Sequence, residues 1–221
     1  MKILALDSST EACSAALLFG DEIIEQYEFA PMQHNKLILK MIESLLSEAG
    51  LSFSQLDCLA FSNGPGSYTG LRLSAGVIQG IAFAHHLPVA LISSLAVLAQ
   101  TAVRQLNAKK ILSALDARMG QLFWGVYQLN NKGFVEALQA DSVIDPTEVK
   151  IPNSSDWIGI GSGWGAYKNE LKHKVINHVN QMTSDFYPHA QDVIPLAKRK
   201  VELQEMVISE LALPVYLRDV K

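Results

Sequence analysis

Two carboxylates and one glycine-rich loop stand where this sequence could do chemistry. Asp7 ends the apolar run Ile3-Leu4-Ala5-Leu6 and is followed by the polar turn residues Ser8, Ser9 and Thr10. Asp116 ends a second run of the same kind, Ile111-Leu112-Ser113-Ala114-Leu115. A carboxylate at the end of a strand can face a cleft, or it can cap its own turn through local hydrogen bonds. Between the two lies Asn63-Gly64-Pro65-Gly66-Ser67-Tyr68-Thr69-Gly70-Leu71-Arg72, after an apolar strand and before a helix. Glycine permits positive φ and close approach of a ligand or another backbone. A helix N-terminus offers unpaired N–H groups suited to an anion. Gly64, Gly66, Ser67, Thr69 and Arg72 would face such an anion, with Ser67 or Thr69 able to cap the helix. The same residues also make a structural turn, and chemistry alone leaves the two readings level.

Several chemistries find no support. The loop ends in no Gly-Lys-Ser/Thr, and its glycines at 64, 66 and 70 are not spaced as a dinucleotide fingerprint. It is not Gly-x-Ser-x-Gly, so no serine-hydrolase elbow is indicated. His34 opens a helix, but four residues later comes Ile38, where a metal pair would need a second histidine. His85 and His86 are adjacent and suit a helix C-terminus better than a metal. No metal site is expected, and no nucleophile is matched to a base.

A net charge of −4 is a poor footprint for binding RNA directly, since phosphate affinity comes from clustered Lys and Arg. The longest basic run is Lys198-Arg199-Lys200. The most apolar stretch, Leu73 to Ala84, is shorter than the ~20 residues a membrane span needs. The N-terminus meets a carboxylate too early for a signal peptide. Cys13 and Cys58 sit in apolar strand-like runs and read as buried thiols. These features together place the chain in the cytoplasm, away from membranes.

The elements that must position these groups follow from periodicity. Strands are expected at Ile3–Asp7, Cys13–Phe19 and Glu22–Phe29, with Gly20-Asp21 as a hairpin turn. A helix from Asn35 to Ala49 is ended by Gly50. Then come a strand at Leu56–Ser62, a helix at Gly70–His86, a strand at Val89–Ile92 and a helix at Ser94–Gln105. After Ile111–Asp116 the pattern restarts, with strands at Gln121–Leu129, Phe134–Val143 and Trp157–Ile160 and helices near Gly165–His173 and Ala190–Gln204. A period of nearly half the 221 residues indicates a duplicated α/β fold, not a solenoid. The expected subdomains are 1–105 and a less regular 106–221.

Two helices carry more apolar surface than one small domain can hide. From Cys58 to Val103 the only formally charged side chain is Arg72. The helix within that stretch has no polar face, and such helices are normally buried all round. Gly76 and Gly80 lie on one stripe of it, where another helix could come close. In the preceding helix the apolar arc is broad. Leu37, Met41, Leu45, Leu73, Gly76, Val77, Gly80 and Ile81 are the candidates for a protein–protein contact, against the alternative of an internal helix pair.

At this point the chain resembles a known family. Ile3-Leu4-Ala5-Leu6-Asp7-Ser8-Ser9-Thr10, Gly64 to Arg72, Ala114-Leu115-Asp116-Ala117-Arg118 and the closing Pro214-Val215-Tyr216-Leu217-Arg218 are similar to the TsaB (YeaZ) family of tRNA threonylcarbamoyladenosine biosynthesis proteins. The resemblance implies an actin/sugar-kinase/Hsp70-like (ASKHA) duplicated fold with two βββαβα-type subdomains. It implies a non-catalytic activating subunit of the complex that forms N6-threonylcarbamoyladenosine at position 37 of tRNAs reading ANN codons. The partners would be a TsaD-like paralogue holding metal and transferase site, and a TsaE-like ATPase. The family's contact with TsaD is a four-helix bundle made by the two helices singled out above. No cofactor would be required by this chain, ATP or ADP lying at the interface of the assembled complex. The isolated chain would pair with itself, and tRNA would be met only through the complex. Two rival readings are an autonomous ATPase or phosphotransferase using Asp7, Asp116 and the loop, and a peptidase acting on TsaD.

Overall fold

A computed structural model describes residues 1–175 and 178–218. It divides into two compact units, Met1–Val97 with Pro188–Val215, and Leu98–Tyr187 with the residues from Tyr216 on.

In the first unit, strands β1 (Ile3–Asp7), β2 (Ala12–Phe19), β3 (Glu22–Phe29), β4 (Cys58–Gly64) and β5 (Val89–Ser93) form a sheet in the order β3-β2-β1-β4-β5. β1 pairs antiparallel with β2 and parallel with β4. The central strand β1 is buried along its whole length, as an apolar run covered on both faces should be. Helix α1 (His34–Ala49) buries Ile38, Met41, Ile42, Leu45 and Leu46, the three-and-four spacing of one helical face. Gly50 ends it in the left-handed conformation, φ 63°, its N–H bonding the Leu46 and Ser47 carbonyls. Helix α2 (Tyr68–His85) buries Leu71, Ser74, Ala75, Ile78 and Ala82. Both helices share one core with Leu4, Leu6, Leu17, Leu59 and Phe61.

The other face of this sheet carries the alternate residues. Ala16, Ala5, Ala60 and Ala90 are register partners across four strands, and all are buried. Helix α6 (Ala190–Glu202) packs across those four strands. A row of alanines lets a helix backbone approach closely, and α6 turns Val193, Ile194 and Ala197 inward. So residues 188–215 fold onto the first sheet, whereas a division at 105/106 assigns them to the second subdomain. The segment after α6 then borders β5, Val207 bridging Val89 antiparallel.

In the second unit, β6 (Lys110–Asp116), β7 (Leu122–Leu129), β8 (Val135–Ala137), β10 (Trp157–Ile160) and β11 (Val179–Thr183) are ordered β8-β7-β6-β10-β11, with β9 (Ser142–Ile144) also on β7. Orientations repeat as well: β6 is antiparallel to β7 and parallel to β10. The plan is that of the first sheet, so the expected duplication is present, with β9 added off the main path of the second sheet. The expected strand Phe134–Val143 is broken into β8 and β9, which pair with opposite ends of β7. The expected helix Gly165–His173 is likewise divided into α4 (Gly163–Ala166) and α5 (Lys168–Val175). Helix α3 (Ser94–Leu106) crosses the boundary between the units. Among the described residues no helix is long and apolar enough to cross a membrane.

Candidate functional site

The turn after β1 and the loop after β4 close on each other. Asp7 is fully buried, and its Oδ1 accepts the Ser9 N–H and hydroxyl, each at 3.0 Å. Burial raises its pKa, opposed in part by the Ser62 and Ser9 side chains, the Ser9 backbone N–H and the charge of His189. The Ser8 hydroxyl donates to the Gly70 carbonyl at 2.7 Å. Having one proton, it must accept from the Ser74 hydroxyl 2.5 Å away. Ser67 N–H donates to the Ser9 carbonyl at 2.7 Å.

The loop's glycines are explained by this contact. A β-carbon on Gly66 would collide with the Ser9 carbonyl oxygen, and one on Gly70 with that of Ser8. Gly64, at φ +127°, is covered by the Val215 carbonyl, while Val215 N–H bonds the Asn63 carbonyl at 2.7 Å. Gly70 N–H caps onto the Ser67 hydroxyl at 3.3 Å, and Leu71 N–H takes the Ser67 carbonyl. Of the two readings left open by sequence, close backbone contact accounts for Gly64, Gly66 and Gly70 as residues of a packed joint.

The second unit repeats the device. Asp116 Oδ1 accepts from the Tyr167 hydroxyl at 3.0 Å and the Arg118 N–H at 2.8 Å, and Oδ2 pairs with the Arg118 guanidinium at 3.0 Å. Burial first, then the Asp116 acceptor, raises the Tyr167 pKa. A β-carbon on Gly161, at φ +100°, or on Gly163 would press on Ala114; one on Gly159 would strike the Trp164 ring. The Gly159-Ile160-Gly161-Ser162-Gly163 loop is thus seated against β6 as the Gly64 loop is seated against the turn after β1. Asp7, Ser8, Ser9, Thr10, Gly64, Gly66 and Ser67 come together in the first unit; Asp116 has its partners in the second.

Outside the joint, α1 and α2 present a surface. Gly76 and Gly80 are exposed, and an added β-carbon on either meets nothing within 4 Å. On α2, Leu73, Val77 and Ile81 neighbour them in the helix, and these three and Leu37 of α1 are half-buried against the core. Leu45 is fully buried and Met41 nearly so; these two candidates hold the surface up from beneath and do not line it. Leu39, part of the broad apolar arc of α1, is 54% exposed, and Phe83, not among the candidates, is 68% exposed. Phe83 continues the stripe of Gly76 and Gly80 at helical spacing, so it could have been found. Arg72 is exposed beside them, its guanidinium 4.0 Å from the centre of the Tyr68 ring.

At the head of this surface a cavity of ≈ 410 Å³ separates the starts of the two helices, with His34 and Asn35 on one wall, Ser67, Thr69 and Gly70 on the other. His34 Nε2 lies 2.9 Å from the Thr10 carbonyl and 3.1 Å from that of Ala12. Carbonyls only accept, so this nitrogen carries the proton. Among the described residues no three His, Cys, Asp or Glu side chains gather as a metal site.

Two copies of one five-strand plan, each with its first strand gripping a glycine-bearing loop after its fourth, define an α/β protein of the actin/sugar-kinase/Hsp70-like fold. The chain belongs to the TsaB (YeaZ) family. Curated relatives named tRNA threonylcarbamoyladenosine biosynthesis protein TsaB are 35% identical in Escherichia coli K12, covering 99% of this chain and 95% of that one, and 37% identical in Haemophilus influenzae, covering 99% and 94%. A solved structure, YeaZ from Pseudomonas aeruginosa, superposes with a TM-score of 0.92 at 41% identity over 98% of this chain and 99% of that one. A family model described as TsaD, tRNA N6-adenosine threonylcarbamoyltransferase, matches residues 21–221.

Proposed function

We propose that this chain is a non-catalytic activating subunit in the formation of N6-threonylcarbamoyladenosine at position 37 of tRNAs reading ANN codons, and that it acts by docking the α1/α2 face onto the transferase subunit TsaD. The observation that carries the proposal is the open space at Gly76 and Gly80 amid exposed or half-exposed apolar side chains. Inside a helix each glycine costs about 1 kcal/mol relative to alanine. Among the described residues nothing lies within 4 Å of a β-carbon added at either. A helix from a partner would fill it and cover Leu39 and Phe83 in the same contact.

The packed joint supports the non-catalytic part. Asp7 is enclosed, and the N–H groups of Ser67, Gly70 and Leu71 are engaged within the chain. On this reading the chain needs no cofactor, and ATP or ADP belongs to the interface of the assembled complex, which a TsaE-like ATPase completes. The isolated chain pairs with a second copy through the same face. A net charge of −4 suits a subunit that meets tRNA only through its partners, in the cytoplasm.

The test is reconstitution. With purified TsaD, TsaE and threonylcarbamoyl donor, the wild-type chain supports formation of the modified nucleoside, read by mass spectrometry of digested tRNA. Gly76→Glu, folded by circular dichroism, does not. Modification at the wild-type rate with Gly76→Glu would overturn the docking assignment.

A further inference from the structure

We infer that the turn between β1 and β2, Ser8 to Glu11, together with Ala12 at the start of β2, sets the spacing of α1 and α2, and that His34 and Ser8 are the positioning residues at its two ends. The inference rests on the docking reading above and deepens it.

The two helices reach this face from different strands, α1 following β3 and α2 following β4. Between their first turns lies the ≈ 410 Å³ cavity, with His34 and Asn35 on one side and Ser67, Thr69 and Gly70 on the other. Each is tied to the same short turn. At the α1 end, His34 Nε2–H is shared between the Thr10 and Ala12 carbonyls, at 2.9 and 3.1 Å. At the α2 end, the Ser8 hydroxyl bonds the Gly70 carbonyl at 2.7 Å and accepts from Ser74 at 2.5 Å. The Ser9 carbonyl takes the Ser67 N–H. Both Ser8 and Ser9 are buried, where a hydrogen bond is stronger than in water and an unmade one costly. A partner resting on both helices packs at the density of a protein interior, where a shift of a few tenths of an ångström is felt. The lone histidine at the head of α1 thus has work as a donor between a turn carbonyl and the first carbonyl of β2, with no second histidine needed.

Association with TsaD, followed by titration calorimetry on the full chain, tests this. His34→Ala leaves both carbonyls without their donor and should weaken binding about ten-fold. His34→Gln, whose amide nitrogen carries two N–H groups, should restore affinity to within about three-fold of wild type. Ser8→Ala should weaken binding from the α2 end and decides the matter alone if His34→Ala does not fold. Wild-type affinity in His34→Ala or in a folded Ser8→Ala overturns the inference, and so does equal weakening by Gln and Ala at position 34. Gly76→Glu is the control that separates the two ideas. If it abolishes binding while the His34 and Ser8 variants bind normally, the docking face stands and the positioning role falls. If it binds normally, the docking face itself is wrong.

Discussion

The carbonyl oxygen of Ser8 occupies the space that a β-carbon on Gly70 would need. Contact between these two residues turns a loop with the composition of a phosphate cradle into a seat for protein backbone. It also divides the glycines of this segment into two kinds with opposite expected behaviour.

Gly70→Ala drives a methyl group into rigid backbone in a buried joint. It should destabilise the chain by about 3 kcal/mol or more, read as a lower midpoint in urea.

Gly76→Ala and Gly80→Ala should do the reverse. Both positions are helical and open, so each alanine should stabilise the chain by about 0.5–1 kcal/mol. The same substitutions should weaken association with TsaD, because the methyl groups stand where a partner helix must come closest. Stabilisation together with unchanged affinity would show that the glycines serve no contact.

Asp7→Asn should stabilise the chain at neutral pH. Burial raises the folded pKa of Asp7 above its ordinary 3.8, so the folded state holds the proton more tightly than the unfolded one. That contribution is fully present below 3.8 and is lost as pH rises through the raised value. Asparagine carries no charge to lose and can still accept the Ser9 N–H. The melting temperature of Asp7→Asn minus that of wild type should therefore grow as pH rises from about 4. A difference independent of pH would contradict the buried-charge account.

Cys13 and Cys58 are buried free thiols, each with its pKa pushed up to about 12, chiefly by burial. A thiol reagent should leave both unmodified in the native chain and label both in denaturant. Rapid labelling without denaturant would mean that these strands open.

Much of this architecture is legible in the sequence because its apolar runs are strong. Trp157–Ile160 is found with its bounds intact, and α1 ends at Gly50 as its left-handed cap requires. The strand β4 begins two residues later than expected, since Leu56 caps the short 3-10 turn Phe53–Gln55. β11 was not foreseen: Val179-Asn180-Gln181-Met182-Thr183 is a largely exposed edge strand with polar side chains, and it carries no alternation to read. The return of α6 to the first sheet was hidden for a different reason. Its seat is the row Ala16, Ala5, Ala60 and Ala90, and alanine is equally at home in any core.

The site was legible in composition but not in contact. Gly64, Gly66 and Gly70 announce that something approaches closely; that it is Val215, Ser9 and Ser8 depends on pairings far apart in the chain. The surface was named from the charge-poor stretch around Arg72. Periodicity puts Leu45 on the core stripe with Ile38 and Ile42 and Leu39 in the surplus arc, so Leu45, fully buried, does not belong among the contact candidates, while Leu39 is 54% exposed.

The central claim is that the α1/α2 face, and not the joint, is what this chain uses. Calorimetric titration of TsaD with Gly76→Glu and with Asp7→Asn tests it directly. The account predicts that Gly76→Glu, folded, shows no detectable binding while Asp7→Asn binds as wild type does. Wild-type binding by Gly76→Glu, or loss of binding confined to Asp7→Asn, would contradict it.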